Sequence, residues 1–179
     1  MSNLNPLLER NRTFASTGAH EGLTPIPTHQ LVVVTCMDGR VDPAHILGVK
    51  LGDALVIRNA GGRVTQDVLH EVAFVGAATE MMFGAEAPPF EVAVLHHTGC
   101  GSGLLADPTF RTSFVERTGA ADCALAASAV TDPFESVTHD VALLVESPIV
   151  PAAASVSGHV YDVDTGVITT VVPRTEANR

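Results

Sequence analysis

The chain has 179 residues, of which 46% are hydrophobic and 17% charged, and its formal net charge is -10 with histidine neutral. This length suits one domain with a buried core, and the composition is too apolar for a disordered chain. The acidic balance argues against a nucleic-acid partner, because phosphate backbones are bound through lysine and arginine. The 3 cysteines are too few for a disulfide framework and favour metal or catalytic use in a reducing compartment. We therefore expect a cytoplasmic protein whose partner is a small molecule or another protein.

Residues 1–30 are predicted to form an N-terminal arm. A helix from Pro6 to Phe14 is favoured by the proline at its first position, but it is too short to be stable alone. Its apolar side chains need a surface on which to dock. Residues 18–28 form a connector rich in glycine, proline and threonine. The chain shows neither a signal-peptide pattern nor an apolar run of membrane-spanning length, so we expect no membrane contact.

Strands alternate with helices along residues 31–179, which we interpret as a single α/β zinc-binding catalytic domain. The predicted strands are Leu31–Thr35, Ala54–Ile57, Phe90–Leu95 and Val141–Val145, followed by a hairpin of His159–Val163 and Val167–Val172. The predicted helices are Asp42–Val49, Gln66–Phe83, one or two within Thr109–Val130 that divide near Gly119, and a short one opened by Asp132 and Pro133. This alternation predicts a mostly parallel central sheet flanked by helices, with a C-terminal hairpin or edge strand.

Two loops that follow strands carry the chemically active side chains. Cys36, Asp38 and Arg40 lie at alternate positions after the first strand, so they share a face. His97 and Cys100 follow the third strand, three residues apart. Ligands of parallel sheets bind beyond the carboxyl ends of the strands, so we expect these two loops to meet.

Two cysteines, one histidine and an open fourth position form a recognised catalytic zinc arrangement. One alternative is that Cys36 and Cys100 are buried apolar thiols, as free cysteines often are. Another is a closed structural site with His96 as fourth ligand, although adjacent residues at a strand end usually point in opposite directions.

Asp38 and Arg40 could form an ordinary surface ion pair, but their loop also carries a candidate zinc ligand. There the carboxylate could orient a bound water, and the guanidinium would hold the carboxylate ionised. Cys123 is interpreted as a packing residue of a helix. The other histidines singled out are interpreted as exposed or hydrogen-bonded residues, with proton relay as an alternative; they are His70, His139 and His159.

The motifs Cys36-Met37-Asp38-Gly39-Arg40 and His97-Thr98-Gly99-Cys100 resemble the signature of the β-class carbonic anhydrases. Arg58-Asn59-Ala60-Gly61-Gly62 resembles the segment between the two motifs, and Val156 to Gly166 resembles the family's ending. The resemblance thus covers residues 30–172. It departs from many relatives at Gly99, at His70-Glu71 and in a slightly extended stretch at residues 86–90.

The resemblance implies Cys36, His97 and Cys100 as zinc ligands and Asp38 and Arg40 as the catalytic dyad. It implies reversible hydration of carbon dioxide to bicarbonate by a zinc-bound hydroxide. It also implies a homodimer or a larger homo-oligomer in which N-terminal helices embrace the neighbouring subunit. Because Tyr161 is the only tyrosine and there is no tryptophan, an aromatic-lined accessory bicarbonate site is not expected.

Three other functions stay open from the sequence. The same zinc site could hydrolyse carbon disulfide or carbonyl sulfide. Cys36 could be the nucleophile of a thiol-dependent phosphatase or sulfurtransferase with Arg40 binding the anion, although only three residues separate the two. A non-catalytic zinc-binding or partner-binding module is the last possibility, and the intact dyad argues against it.

Overall fold

Helices and strands alternate along the computed structural model, which describes residues 2–177. The α-helices of these residues are α1 Asn5–Ser16, α2 Pro43–Ile46, α3 Gln66–Phe83, α4 Pro108–Thr118, α5 Asp122–Ser128 and α6 Pro133–Glu146. The strands are β1 Leu31–Cys36, β2 Ala54–Asn59, β3 Phe90–His97, β4 Ala154–Tyr161 and β5 Ile168–Glu176. Three short 3-10 turns span Ala60–Gly62, Gly84–Glu86 and Gly101–Ala106.

The strands form one sheet in the order β2-β1-β3-β4-β5. The first four are mutually parallel, and β5 runs antiparallel to β4. The predicted α/β class, with its mostly parallel sheet and C-terminal strand pair, is confirmed. The register places Cys36 opposite Asn59 of β2 and His97 opposite Tyr161 of β4, so the strand ends that carry the two motifs lie at one edge of the sheet.

Most of the core lies on one face of the sheet. There the valines of β1, β3 and β4 pack against apolar residues of α3 and α6: Val32, Val34, Val92, Val94, Val156, Val68, Val72, Val137 and Leu144. A smaller cluster on the other face contains Val33, Val41 and Leu95. β1 is buried on both faces from Val32 to Cys36, which explains the continuous β-branched run that the sequence shows there.

Side chains cap the N-termini of helices α2, α3, α4 and α6. Asp42, Thr65, Asp107 and Asp132 each accept a hydrogen bond from a backbone amide of the first turn of α2, α3, α4 and α6 respectively. Gly119 adopts the left-handed conformation at the end of α4 and separates it from α5, which confirms the predicted division. Helix α2 is shorter than predicted and ends at Ile46.

The predicted strand Val141–Val145 is wrong, because these residues belong to α6. The buried residues of α6 are Val137, Asp140, Val141 and Leu144, which recur at helical spacing and face the sheet. The next strand instead starts at Ala154 and forms β4, whose end overlaps the first arm of the predicted hairpin.

Among residues 2–177, no helix combines the length and apolarity that crossing a bilayer requires.

Candidate metal centre

Cys36, His97 and Cys100 converge at the carboxyl edge of the sheet. Cys36 ends β1, His97 ends β3, and Cys100 follows three residues later. One ligand atom from each lies within 4.8 Å of the others. The two Sγ atoms are 3.9 Å apart, close to the roughly 3.8 Å expected for sulfurs on tetrahedral zinc with Zn–S distances of about 2.3 Å. The trio therefore fits a zinc ion sterically.

One hydrogen bond determines which nitrogen of His97 can bind a metal. Nδ1 lies 3.0 Å from the carbonyl oxygen of Thr98, which can only accept, so Nδ1 carries the proton. Nε2 is buried and has no hydrogen-bond partner among the described residues. A buried lone pair without a donor is costly, and a metal ion would satisfy it.

The two thiols are in hydrogen-bond contact, and this contact moves their pKa values in opposite directions. The hydrogen bond between them raises the pKa of Cys36, with burial adding to the effect, and lowers the pKa of Cys100 to about 3. One proton is thus shared between two sulfurs. A divalent cation would displace it and bind both as thiolates.

Asp38 and Arg40 form a bidentate pair beside the trio. Arg40 Nη2 donates to Asp38 Oδ2 at 2.7 Å and Arg40 Nε to Oδ1 at 3.0 Å. These bonds hold the pKa of the Asp38 carboxyl well below its usual range. Arg40 Nη2 also donates to the carbonyl oxygen of Gly99 and so connects the two loops. The dyad predicted from the sequence is therefore an ion pair at the site.

Arg58, whose role sequence reasoning missed, holds the loop after Cys36 in place. Its Nε donates to the carbonyl oxygen of Cys36 at 3.0 Å, and its Nη2 to that of Asp38 at 2.7 Å. Its Nη1 pairs with Asp42, the cap of α2, at 3.0 Å. The sequence offered one indication of this role, which was a charged residue at the end of a strand beside that loop.

The comparisons with known proteins agree with this geometry. The protein-family model described as "Carbonic anhydrase" matches residues 31–168. The chain belongs to the β-carbonic anhydrase family. "Beta-carbonic anhydrase 1" of Mycobacterium tuberculosis (strain H37Rv) is 33% identical over 167 residues, which cover 93% of this chain and 96% of that protein. The family match and this relative support carbonic anhydrase activity for this chain.

Two further proteins are similar to this chain over most of its length. The crystal structure of carbonic anhydrase from Streptococcus mutans aligns with a TM-score of 0.78 and 35% identity, covering 96% of this chain and 98% of that one. "Carbon disulfide hydrolase" of Acidianus sp. (strain A1-3) is 30% identical over 174 residues, covering 78% of this chain and 76% of that protein.

A buried charged cluster connects α6, β3 and the segment after β2 in this carbonic anhydrase family member. Asp140 of α6 is fully buried and accepts both Arg63 Nε and Nη2 at 2.8 Å. Asp140 Oδ2 also accepts the Val64 amide at 2.9 Å and lies 3.3 Å from His96 Nε2. Burial would raise the pKa of Asp140, but the hydrogen bonds from His96 and Arg63 outweigh it and lower the pKa.

His96 therefore points away from the metal trio and toward α6, as expected for adjacent residues of a strand. The cluster of Arg63, His96 and Asp140 was not predicted from the sequence. The indication of this cluster in the sequence was a carboxylate at a core position of an apolar helix stripe, because a buried charge needs a partner.

The remaining candidates lie outside the trio. The interpretation of Cys123 as a packing residue is wrong, because it is exposed on α5. His70 and His139 are exposed, in line with the sequence analysis. His159 is half-buried, and its ring nitrogens contact the hydroxyls of Ser157 and Thr170 at 3.0 and 3.1 Å.

Proposed function

We propose that this protein catalyses the zinc-dependent, reversible hydration of carbon dioxide to bicarbonate. The zinc ligands would be Cys36, His97 and Cys100, and Asp38 and Arg40 would be the catalytic dyad. The observation that carries the proposal is the convergence of the three ligand atoms within 4.8 Å, with the ion-paired dyad beside them. The donor set suits zinc, because thiolate and imidazole are its preferred ligands.

When bound, zinc would supply Lewis-acid chemistry that lowers the pKa of a coordinated water toward neutrality. The Asp38 carboxylate would accept a hydrogen bond from the attacking water and aim its lone pair at carbon dioxide. Arg40 holds that carboxylate at a fixed position, because its Nη2 donates both to Asp38 Oδ2 and to the Gly99 carbonyl oxygen. Bond formation between water oxygen and carbon yields bicarbonate and releases one proton to solvent.

Hydrolysis of carbon disulfide is a second candidate function. It is favoured by the similarity to the carbon disulfide hydrolase of Acidianus sp., which spans more than two thirds of both chains. Carbon disulfide is also a linear, apolar molecule whose central carbon accepts a water-derived nucleophile, so the same dyad could serve both reactions. Carbonyl sulfide belongs to the same chemical class.

The two candidates are separated by assaying one preparation of measured zinc content. Stopped-flow spectrophotometry with a pH indicator measures carbon dioxide hydration, and release of hydrogen sulfide measures carbon disulfide hydrolysis. We expect hydration to dominate at equal substrate concentration. Sulfide release without hydration by zinc-loaded protein would contradict the first proposal and support the second.

We further propose a homodimer or larger homo-oligomer. Helix α1 contains no buried residue, and its apolar side chains Leu7, Leu8 and Phe14 are exposed, as is Leu4 at its N-cap. A 12-residue helix is marginal in water without tertiary contacts, so a second subunit would provide the surface it lacks. A cytoplasmic location fits the three free cysteines, because a reducing compartment keeps ligand thiols available.

A further inference from the structure

Ser102 places a hydroxyl next to one of the proposed ligand sulfurs. It lies in the 3-10 turn Gly101–Ala106 that follows Cys100, and its Oγ is 3.2 Å from Cys100 Sγ. A cysteine that binds a metal does so as a thiolate, which has no proton to give. In the metal-loaded protein the hydroxyl must therefore be the donor of this hydrogen bond.

The neighbouring loop leaves room for this hydroxyl. A Cβ atom on Gly61 would lie 2.8 Å from Ser102 Oγ and 3.3 Å from Ser102 Cβ. Gly61 also has a φ of 85°, a conformation that other residues rarely adopt. The absence of a side chain at residue 61 thus leaves the space that the Ser102 hydroxyl fills, between Gly61 and Cys100.

Each of the two sulfurs has a hydrogen-bond donor, but the sources of the donors differ. Cys36 Sγ accepts a hydrogen bond from the backbone amide of Asp38 at 3.4 Å. Cys100 Sγ is 3.2 Å from the Ser102 hydroxyl. The donor at Cys100 thus belongs to a side chain, so a substitution can remove it while leaving the backbone in place.

We propose that Ser102 is a positioning residue for the metal centre, whose hydroxyl donates a hydrogen bond to the Cys100 thiolate. The bond orients the sulfur toward the metal and withdraws negative charge from it, which preserves the Lewis acidity of the ion. The inference rests on the proposed function for the identity of the metal. Without the hydroxyl, the thiolate is richer in electrons and freer to rotate and to take up a proton.

The test replaces zinc with cobalt(II), whose sulfur-to-metal charge-transfer absorption reports on the ligand sulfurs. Ser102→Ala removes the hydroxyl, Ser102→Thr retains it, and Ser128→Ala is a matched control whose hydroxyl donates to the Leu125 carbonyl of α5. We expect the band of Ser102→Ala to move to lower energy, while Ser102→Thr and Ser128→Ala keep the wild-type band. Competition with a chelator should show a roughly tenfold loss of zinc affinity for Ser102→Ala alone.

Two results would overturn the proposal. One is a cobalt-loaded Ser102→Ala protein with the wild-type band energy and wild-type zinc affinity. The other is a Ser102→Thr protein that matches Ser102→Ala, since the hydroxyl would then have no role of its own. Failure of the proposed function is distinguishable, because it would appear in the wild-type protein itself as absence of zinc binding or of hydration.

Discussion

The ring of His97 shows how a single hydrogen bond selects a ligand atom. Because the Thr98 carbonyl occupies Nδ1, the lone pair of Nε2 stays available for a metal, and Nε2 has no hydrogen-bond partner among residues 2–177. Sequence reasoning predicted the residue from its spacing to Cys100. It did not predict the nitrogen, since the bond depends on the local conformation of the strand end.

Cys100→Ser is expected to lose most of the bound zinc and with it the activity, because a serine hydroxyl replaces a thiolate on a borderline-soft metal. Cys123→Ser is the matched control, since Cys123 is exposed on α5 and outside the trio. Metal analysis of both purified variants decides the point. Full zinc occupancy in Cys100→Ser would remove this residue from the ligand set.

Arg40→Ala is expected to lower the hydration rate about 10- to 100-fold while zinc stays bound. Arg40 lowers the pKa of Asp38, so removing it returns that pKa toward the ordinary value near 4. Asp38 then still remains ionised above about pH 6, and the loss should be equal at about pH 6.5 and 8.5. Arg117→Ala, at an exposed position of α4, is the control.

Rate measurements at fixed zinc occupancy across this pH range test the role of the dyad. A loss that disappears as pH rises would mean that Arg40 only maintains ionisation. Wild-type rates throughout would mean that Asp38 and Arg40 form an ion pair without catalytic significance.

At the scale of whole elements, α6 shows where pattern reasoning fails. Residues Val141–Val145 are a short apolar run, and such runs fit a buried strand as well as a buried helix. The distinction lay nine residues upstream of Val141, where the Asp132 cap starts a helix whose core stripe includes Asp140. By contrast, the break at Gly119 was predictable, because a left-handed glycine ends a helix by local geometry alone.

Asp140→Asn is expected to destabilise the fold by about 3–5 kcal/mol, because it leaves the Arg63 guanidinium buried without a counter-charge. The control is Asp122→Asn, which breaks the exposed pair with Arg111 and should cost less than about 1 kcal/mol. Chemical denaturation of both variants gives the difference in unfolding free energy. Equal, small losses would show that the buried cluster contributes little to stability.

The lowered pKa of Asp140 makes the difference in unfolding free energy between wild type and Asp140→Asn depend on pH. The pKa is lower in the folded protein than in the unfolded chain, so the stabilisation is present above the unfolded value near 4 and is lost as pH falls through the folded value. The stability gap between wild type and Asp140→Asn should therefore narrow on acidification below about pH 4.

At the scale of the whole molecule, the parallel sheet explains why distant motifs meet. Since β1 and β3 are neighbours with parallel direction, their carboxyl ends lie together, and this much followed from the alternation of strands and helices. The strand order β2-β1-β3-β4-β5 and the contacts of Arg58 and Ser102 did not follow, because they depend on which loops pack together in space.

Helix α1 should hold the assembly together. Leu4, Leu7 and Leu8 lie three and four residues apart and share a face, so Leu8→Asp should dissociate the oligomer into monomers. Thr13→Asp adds the same charge on the opposite face and should leave assembly unchanged. Sedimentation velocity at micromolar concentration measures both, and a wild-type protein that sediments as a monomer would refute the proposed oligomer.

We propose that one zinc ion, held by Cys36, His97 and Cys100, drives the hydration of carbon dioxide. Titrating zinc into metal-free protein while measuring hydration by stopped-flow tests it most directly. The hydration rate should rise in proportion to added zinc and stop rising at one equivalent per chain. A protein that takes up one zinc per chain and still hydrates carbon dioxide no faster than buffer would contradict it.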